Sequence, residues 1–338
     1  MSIDIIPAPN GVSAHQRRKA AHTMGVCGHG IMSVDIIPAP NGVSAHQRRK
    51  AAHTMGACGH GIIKIKLMLT AGNFTGRRRV GMNLDICIDM VYNKENFTQS
   101  MDKIRRAGIT AYEFWSWWDK DVELILEKQK ELDMKCIAFC TRFITLLDPL
   151  HRQAYIDGLR ESIAMAKRFG TKLLISQTGG VISGKSYEEQ WESLVSGLKE
   201  CAPVLEENDI ILVVEPLNLT DHPGYYLTKS GDAFRLMKEV GSSHIKILYD
   251  IYHFQITEGD LIRTISENIN DIGHFHCAGN PGRGNITEGE INYPEVFRAI
   301  NRLGYQGHIG FEGRISGDRE EGIKRAETLF NLSGKSPA

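Results

Sequence analysis

From Met82 onward the chain alternates short apolar runs with amphipathic stretches, eight times over. The runs are LDICIDM (84–90), TAYEFW (110–115), MKCIAFC (134–140), TKLLISQ (171–177), IILVVE (210–215), IKILYD (245–250), DIGHFHC (271–277) and HIGFEG (308–313). Rich in β-branched residues and bounded by Gly, Asp or Pro, they predict strands buried on both faces, as in a parallel sheet. Between them, apolar residues recur every three or four positions. Phe97, Met101, Ile104 and Ala107 make one such stripe; Leu124, Ile125, Lys128 and Leu132 make another. Tyr155, Leu159, Ile163 and Ala166 follow, then Trp191, Leu194, Leu198 and Val204, then Phe234, Met237 and Val240. Each predicts the buried face of a helix. Gly108, Gly170 and Gly304 stand where three of these helices should stop.

Eight strand–helix units in the 257 residues from Met82 predict an α/β fold, a (β/α)8 barrel. A doubly wound open sheet would want a Gly-rich phosphate loop after an early strand, and none is present. In a closed parallel barrel the carboxyl ends of the strands face one mouth. Four consecutive predicted strands end in metal-type side chains: Glu215 in VVEPLN, Asp250 in ILYDIYH, His276 in GHFHCAG and Glu312 in GFEG. One polar strand end is ordinary; four in register point to a shared site. Three carboxylates and an imidazole suit one divalent, oxygen-preferring ion, Mg2+ or Mn2+, and the His tilts the choice toward Mn2+.

Other residues near these strand ends are candidates for substrate contact. Pro216 ends the fifth strand, and Asn218 and Asp221 fall on the loop after it. His253, three residues past Asp250, is placed to reach a substrate oxygen or else caps a helix at the surface. Arg283, in the NPGRG loop (280–284), is an anion anchor or a solvated loop residue. Of His274 and His276, only His276 is expected to face the barrel interior, with His274 packing outward or against a helix. Trp115, Trp117 and Trp118 in EFWSWW wall a small pocket, or else cover the mouth or a subunit contact. Glu113 either lines the site or is a buried, paired carboxylate.

Charge sharpens this picture. Residues 1–81 hold 11 Lys+Arg against 2 Asp+Glu, so the remaining 29 basic and 38 acidic side chains leave the body at −9. An acidic body argues against a nucleic-acid substrate. Five Cys lie in the body without CxxC spacing, which fits reduced core thiols and a cytoplasmic compartment. No apolar run is long enough to span a membrane, and the N-terminus lacks the apolar core of a signal peptide.

The first 62 residues are a near-perfect duplication. Residues 1–31 and 32–62 differ only at Ile3/Val34 and Val26/Ala57. Two copies are too few for a solenoid, although the HQRRK and CGHG clusters would suit a metal- or nucleic-acid-binding arm. Directly before Met82 lies GRRRVG, consistent with a translated ribosome-binding site. The expectation is that Met82 is the native start and that residues 1–81 are translated upstream sequence, mostly disordered. Mass spectrometry of the N-terminus of protein made from its own gene tests this; a peptide covering Ala8–Arg17 would sink it.

The motifs EPLNLTDHPGYYL (215–227), YDIYHFQITEGDL (249–261), IGHFHCAGNPGRG (272–284) and GEINYPEVFRAINRLGYQGHIGFE (289–312) together resemble the xylose-isomerase-like barrel superfamily. Within it the chain looks most like hydroxypyruvate isomerases and their sugar-isomerase relatives. The resemblance runs from about Met82 to Gly313. It implies one divalent metal held by Glu215, Asp250, His276 and Glu312, with Glu215 and Glu312 also acting as an acid/base pair. It places Asp221, His253 and Arg283 at substrate-binding positions. The implied chemistry is isomerisation of a small hydroxy-keto acid or carbohydrate through an enediolate, such as hydroxypyruvate to tartronate semialdehyde. Hydroxypyruvate isomerases often have Gln where His276 stands and ketose 3-epimerases have His, so C3 epimerisation is the alternative. Type IV AP endonucleases share the barrel but use three zinc ions and extra His ligands, absent after EFWSWW and CTRF here; a non-catalytic binding protein is the other remote reading. By analogy the family implies a homodimer or homotetramer.

Overall fold

The computed structural model describes residues 82–93 and 95–333. The duplicated segment and the question of the start at Met82 lie outside the described residues.

The eight runs form eight parallel strands in a closed barrel, in sequence order. They are β1 (Asn83–Cys87), β2 (Ala111–Phe114), β3 (Lys135–Cys140), β4 (Leu173–Gln177), β5 (Ile211–Glu215), β6 (Ile245–Asp250), β7 (Ile272–Cys277) and β8 (His308–Phe311). β1 pairs with β2 on one side and with β8 on the other, from Asn83 opposite His308 to Ile86 opposite Phe311. Closure satisfies every ladder and leaves no sheet edge.

Side chains alternate across the strands and sort into two environments. Outward residues meet the helices in the main core, where Phe114 lies 5.2 Å from Phe139 and 5.4 Å from Phe169, ring to ring. Inside the barrel, Ala138, Cys140, Ile175, Val213 and Leu248 form a small separate cluster. Bulk therefore sits between sheet and helices, and the narrow interior has room for polar groups around its small aliphatic plug.

Helix ends follow local chemistry. Ser186 and Glu189 form a reciprocal capping box at the start of Tyr187–Asn208. Gly170 closes Arg152–Phe169 at φ +73°, as its position predicts.

Two expectations need correction. The first strand was expected to reach Met90, but it ends at Cys87 and Ile88–Tyr92 is helical. Ile88, Val91 and Tyr92 are buried there, the spacing of a helix face rather than a strand. Leu124 is 47% exposed, while its neighbour Ile125 is buried. Adjacent helical positions lie about 100° apart, so both cannot face the core. Among the described residues no helix is long and apolar enough to cross a membrane.

Candidate active site

Glu215, Asp250 and His276 lie at or near the carboxyl ends of β5, β6 and β7, and Glu312 follows β8 directly. All four are buried, and one ligand-type atom from each lies within 4.8 Å of the others. His276 Nδ1 stands 3.1 Å from Glu312 Oε2 and 3.6 Å from Glu215 Oε1. The four residues that sequence singled out thus converge on one point.

Each ligand is held by its neighbours. Asp250 Oδ1 accepts from the Tyr252 and His253 backbone N–H groups (2.8 and 3.4 Å), capping Ile251–Thr257 and leaving Oδ2 for the site. Glu312 accepts from Trp115 Nε1 at 2.6 Å and from an Arg283 guanidinium nitrogen at 2.5 Å. Gln177 Nε2 donates to Glu215 Oε2 at 3.3 Å. Two buried atoms, Glu215 Oε1 and His276 Nδ1, have no hydrogen-bond partner and face each other across the cluster. Buried polar atoms left without a partner are costly unless a further group, such as a cation, lies between them.

The electrostatics agree. Burial drives the Asp250 carboxyl above its ordinary pKa despite Arg283 and His276 nearby. Burial works the same way on Glu312, but Arg283 and His276 outweigh it and hold that carboxyl well below the usual range. Burial lowers the basicity of His276, yet Glu113 and Glu312 overcome this and carry its pKa well above 6.5. The site is a desolvated cup of three carboxylates, with Arg283 and the His276 ring as their counter-charges. Three carboxylates and an imidazole at this spacing fit a divalent cation.

Arg283 reaches the site from a backbone at φ +55°, rare for a residue with a side chain. Its carbonyl accepts from Arg314 N at 2.7 Å and its Nε donates to the Glu312 carbonyl at 3.2 Å, which fixes that conformation. It also stands 3.4 Å from Asp250 Oδ2. Arg283 is therefore bound into the carboxylate set, not solvated.

Above the cluster opens a cavity of about 340 Å³, walled by Trp115, Phe143, Gln177, His222, Tyr225 and Arg283 among others. Trp115 lines it; Trp117 and Trp118 instead pack edge to face on one another, and Trp118 on Phe143, with Arg142 over both indoles. His253 lies buried beside the ligands, its Nε2 3.5 Å from Asp250 Oδ2 and its Nδ1 accepting from Asn218 N at 3.2 Å. Burial, with Arg283 adding to it, pushes its pKa down to about 3, so the ring is neutral and Nε2 carries the hydrogen. Asp221 does not line the cavity: its carboxylate takes hydrogen bonds from Asn218 Nδ2 (3.0 Å) and Tyr252 Oη (2.7 Å). It braces the loop that holds His253.

The expectation for His274 is overturned. His274 points into the barrel, 3.1 Å from Glu113 Oε2, on the same side as His276. A strand repeats every two residues, so positions 274 and 276 share a face. Glu113 is settled by the same contacts as a buried, paired carboxylate. Sequence reasoning missed Gln177, Tyr225 and His222. Gln177 was legible as the last residue of its strand. Tyr225 was not, because its role is long-range: its hydroxyl accepts from Thr178 N at 2.8 Å and donates to the Glu215 carbonyl at 3.0 Å, tying two rim loops together.

All four clustered residues fall within residues 101–330, which match the family model of the xylose isomerase-like TIM barrel. The chain belongs to this family. It is similar to the hydroxypyruvate isomerase of Escherichia coli (strain K12), 31% identical over 246 residues covering 70% of this chain and 95% of that one. It is also similar to the 2-oxo-tetronate isomerase of Cupriavidus necator, 40% identical over 114 residues, 34% of this chain and 44% of that one. Among solved structures, AP endonuclease, family 2, from Brucella melitensis superposes with a TM-score of 0.69 at 25% identity, covering 72% of this chain and 96% of the other. The relatives named as isomerases support an isomerase activity for this chain.

Proposed function

We propose that the protein is a metal-dependent isomerase of a small hydroxy-carbonyl acid, converting hydroxypyruvate to tartronate semialdehyde with one Mn2+ or Mg2+. The observation that carries this reading is the convergence of four buried ligand-type groups, two of which, Glu215 and Glu312, line a cavity sized for a small molecule. Glu215, Asp250, His276 and Glu312 would hold the ion. The chemistry a bound divalent ion supplies here is Lewis acidity toward a carbonyl and its neighbouring hydroxyl, which acidifies the adjacent C–H.

The side chains divide the remaining work. Glu215 has an oxygen free of hydrogen bonds and is the group able to take the proton. The proton that Glu215 has taken passes across the cluster, exchanging with solvent on the way, to Glu312, ionised beforehand, which returns it to the neighbouring carbon. The neutral His253 offers its Nε2–H to a substrate oxygen, and Arg283 supplies the positive charge a carboxylate-bearing substrate needs. The aromatic wall around Trp115 keeps water from the reacting carbon.

A ketose 3-epimerase is the second reading. It is favoured by the uncharged polar side chains Gln177, Tyr225 and Trp115 on the cavity wall, and by an Arg283 already engaged with Glu312 and Asp250. A nucleic-acid substrate is less well supported, since the cavity is small and the body acidic. The test is NMR of the full chain, loaded with Mg2+ or Mn2+, in deuterated water with hydroxypyruvate and then with ketoses. Deuterated tartronate semialdehyde, lost in Glu215→Gln, is the expected result. Inversion and deuterium at C3 of a ketose would select the second reading, and no exchange in any substrate would sink both.

A further inference from the structure

Beneath the ligand cluster, deeper in the barrel, lies a second polar layer that the proposed chemistry does not use. Glu113 from β2 sits between two imidazoles of β7. Its Oε1 is 3.0 Å from His276 Nε2 and its Oε2 is 3.1 Å from His274 Nε2. The His276 contact is ionic in distance, its angle short of a straight hydrogen bond. Glu113 and both His are at most 2% exposed. Asp85 from β1 completes the layer, fully buried, with neither carboxyl oxygen paired. The layer is also built sterically. A Cβ at Gly310 of β8 would come within 2.2 Å of Glu113 Oε1 and 2.9 Å of His276 Cδ2. Only a residue without a side chain leaves room for the pair.

The consequence follows from hydrogen bookkeeping on one ring. A neutral imidazole has one N–H and one lone pair, and an ionised carboxylate only accepts. With a cation held among Glu215, Asp250 and Glu312, a carboxylate facing Nε2 keeps the hydrogen there and leaves the Nδ1 lone pair for the cation. The opposite tautomer would set two acceptors face to face at Nε2 and aim a hydrogen into the ligand cluster. We propose that Glu113, clamped by His274 and accommodated by Gly310, is a positioning residue that locks His276 in its metal-ligating tautomer and so sets the affinity of the site. This rests on the metal-binding reading above and deepens it. Carboxylate partners of ligating imidazoles typically govern affinity by about 10–100-fold.

The test is a double-mutant cycle on the full chain, read by calorimetric titration of Mn2+ rather than by turnover. Glu113→Ala is expected to weaken Mn2+ binding by about 10–100-fold. In a His276→Gln background, where no ring remains to orient, the same change is expected to cost less than about threefold. Glu113→Gln, which keeps the shape and one acceptor, is expected to fall between. Because Glu113→Ala risks unfolding, circular dichroism accompanies it, and nitrogen-15 NMR of the Mg2+-loaded wild type reads the His276 tautomer directly, with hydrogen on Nε2 expected. Equal losses in both backgrounds, no loss, or hydrogen on Nδ1 would overturn the proposal. So would two ions per chain with one lost in Glu113→Ala, which would make Glu113 a ligand. A wild-type chain that binds no divalent ion would instead bring down the metal-dependent reading itself, and this inference with it.

Discussion

The two halves of the barrel finish their strands differently. At or beside the carboxyl ends of β5 to β8 stand Glu215, Asp250, His276 and Glu312, all chargeable. At or just past the ends of β1 to β4 stand Cys87, Trp115, Cys140 and Gln177, none of them a carboxylate or imidazole. Both sets meet at the same point: Cys87 Sγ lies 3.7 Å from Glu312 Oε1, Trp115 donates to that oxygen, and Gln177 donates to Glu215. One half supplies the clustered carboxylates and imidazole; the other hydrogen-bonds them and shapes the wall. A (β/α)8 barrel with charge on every strand end would have to balance far more desolvated carboxylate than one Arg can offset.

This division is broken most severely from the charged side. Glu215→Gln removes both a ligand and the proposed base, and turnover of hydroxypyruvate is expected to fall at least about 10³-fold. Steady-state kinetics with saturating Mn2+ checks it; a residual rate above a tenth of wild type would dismiss Glu215 as the base. Next, Arg283→Lys keeps the charge but loses the fork that holds Glu312 and Asp250 together. Its kcat/KM is expected to drop by roughly 10²-fold, since a point charge does not replace a bidentate donor. On the neutral side the effects shrink. Trp115→Phe keeps the wall and deletes one hydrogen bond to a carboxylate, so a loss of about tenfold is expected. If Trp115→Phe proves as damaging as Arg283→Lys, the two halves are not functionally distinct.

Stability offers a gentler probe of the same asymmetry. His253 is neutral in the fold because burial, aided by Arg283, lowers its pKa to about 3. The unfolded chain, with a His pKa near 6.5, binds the extra proton first as pH falls. The contribution of His253 is therefore complete above about pH 6.5 and is lost progressively as pH falls toward 3, by at most about 1.4 kcal/mol per pH unit. Denaturant titrations of wild type and His253→Gln between pH 7.5 and 5 should show a shallower decline in the variant. Parallel declines would show that His253 titrates alike in both states.

Legibility in the sequence follows the same line. Strand-end ligands sit at the boundary of an apolar run, where local pattern alone exposes them, and Glu215, Asp250, His276 and Glu312 were all found that way. The inner layer was not. Asp85, Glu113 and His274 lie on different strands, and only closure of the barrel brings β1 and β2 beside β7 and β8. His274 was in principle readable, since the two-residue period puts it with His276. The helical turn at Ile88–Tyr92 was missed because its apolar residues continue the strand pattern without a break. The carboxylate of Asp221 accepts from Asn218 and Tyr252, contacts no spacing rule reveals.

Asp250 carries a last consequence. Its two oxygens answer to different masters, one to the backbone of the helix carrying Tyr252 and His253, the other to the ligand cluster. Aspartate is short enough to serve both from a strand end. A glutamate there would still reach an ion but would release the start of that helix, and His253 with it. Under the proposed metal-dependent reading, the damage would surface as weakened substrate binding while the affinity for the ion stayed. A change in the inorganic part of the site would thus present itself as a change of taste in the organic part.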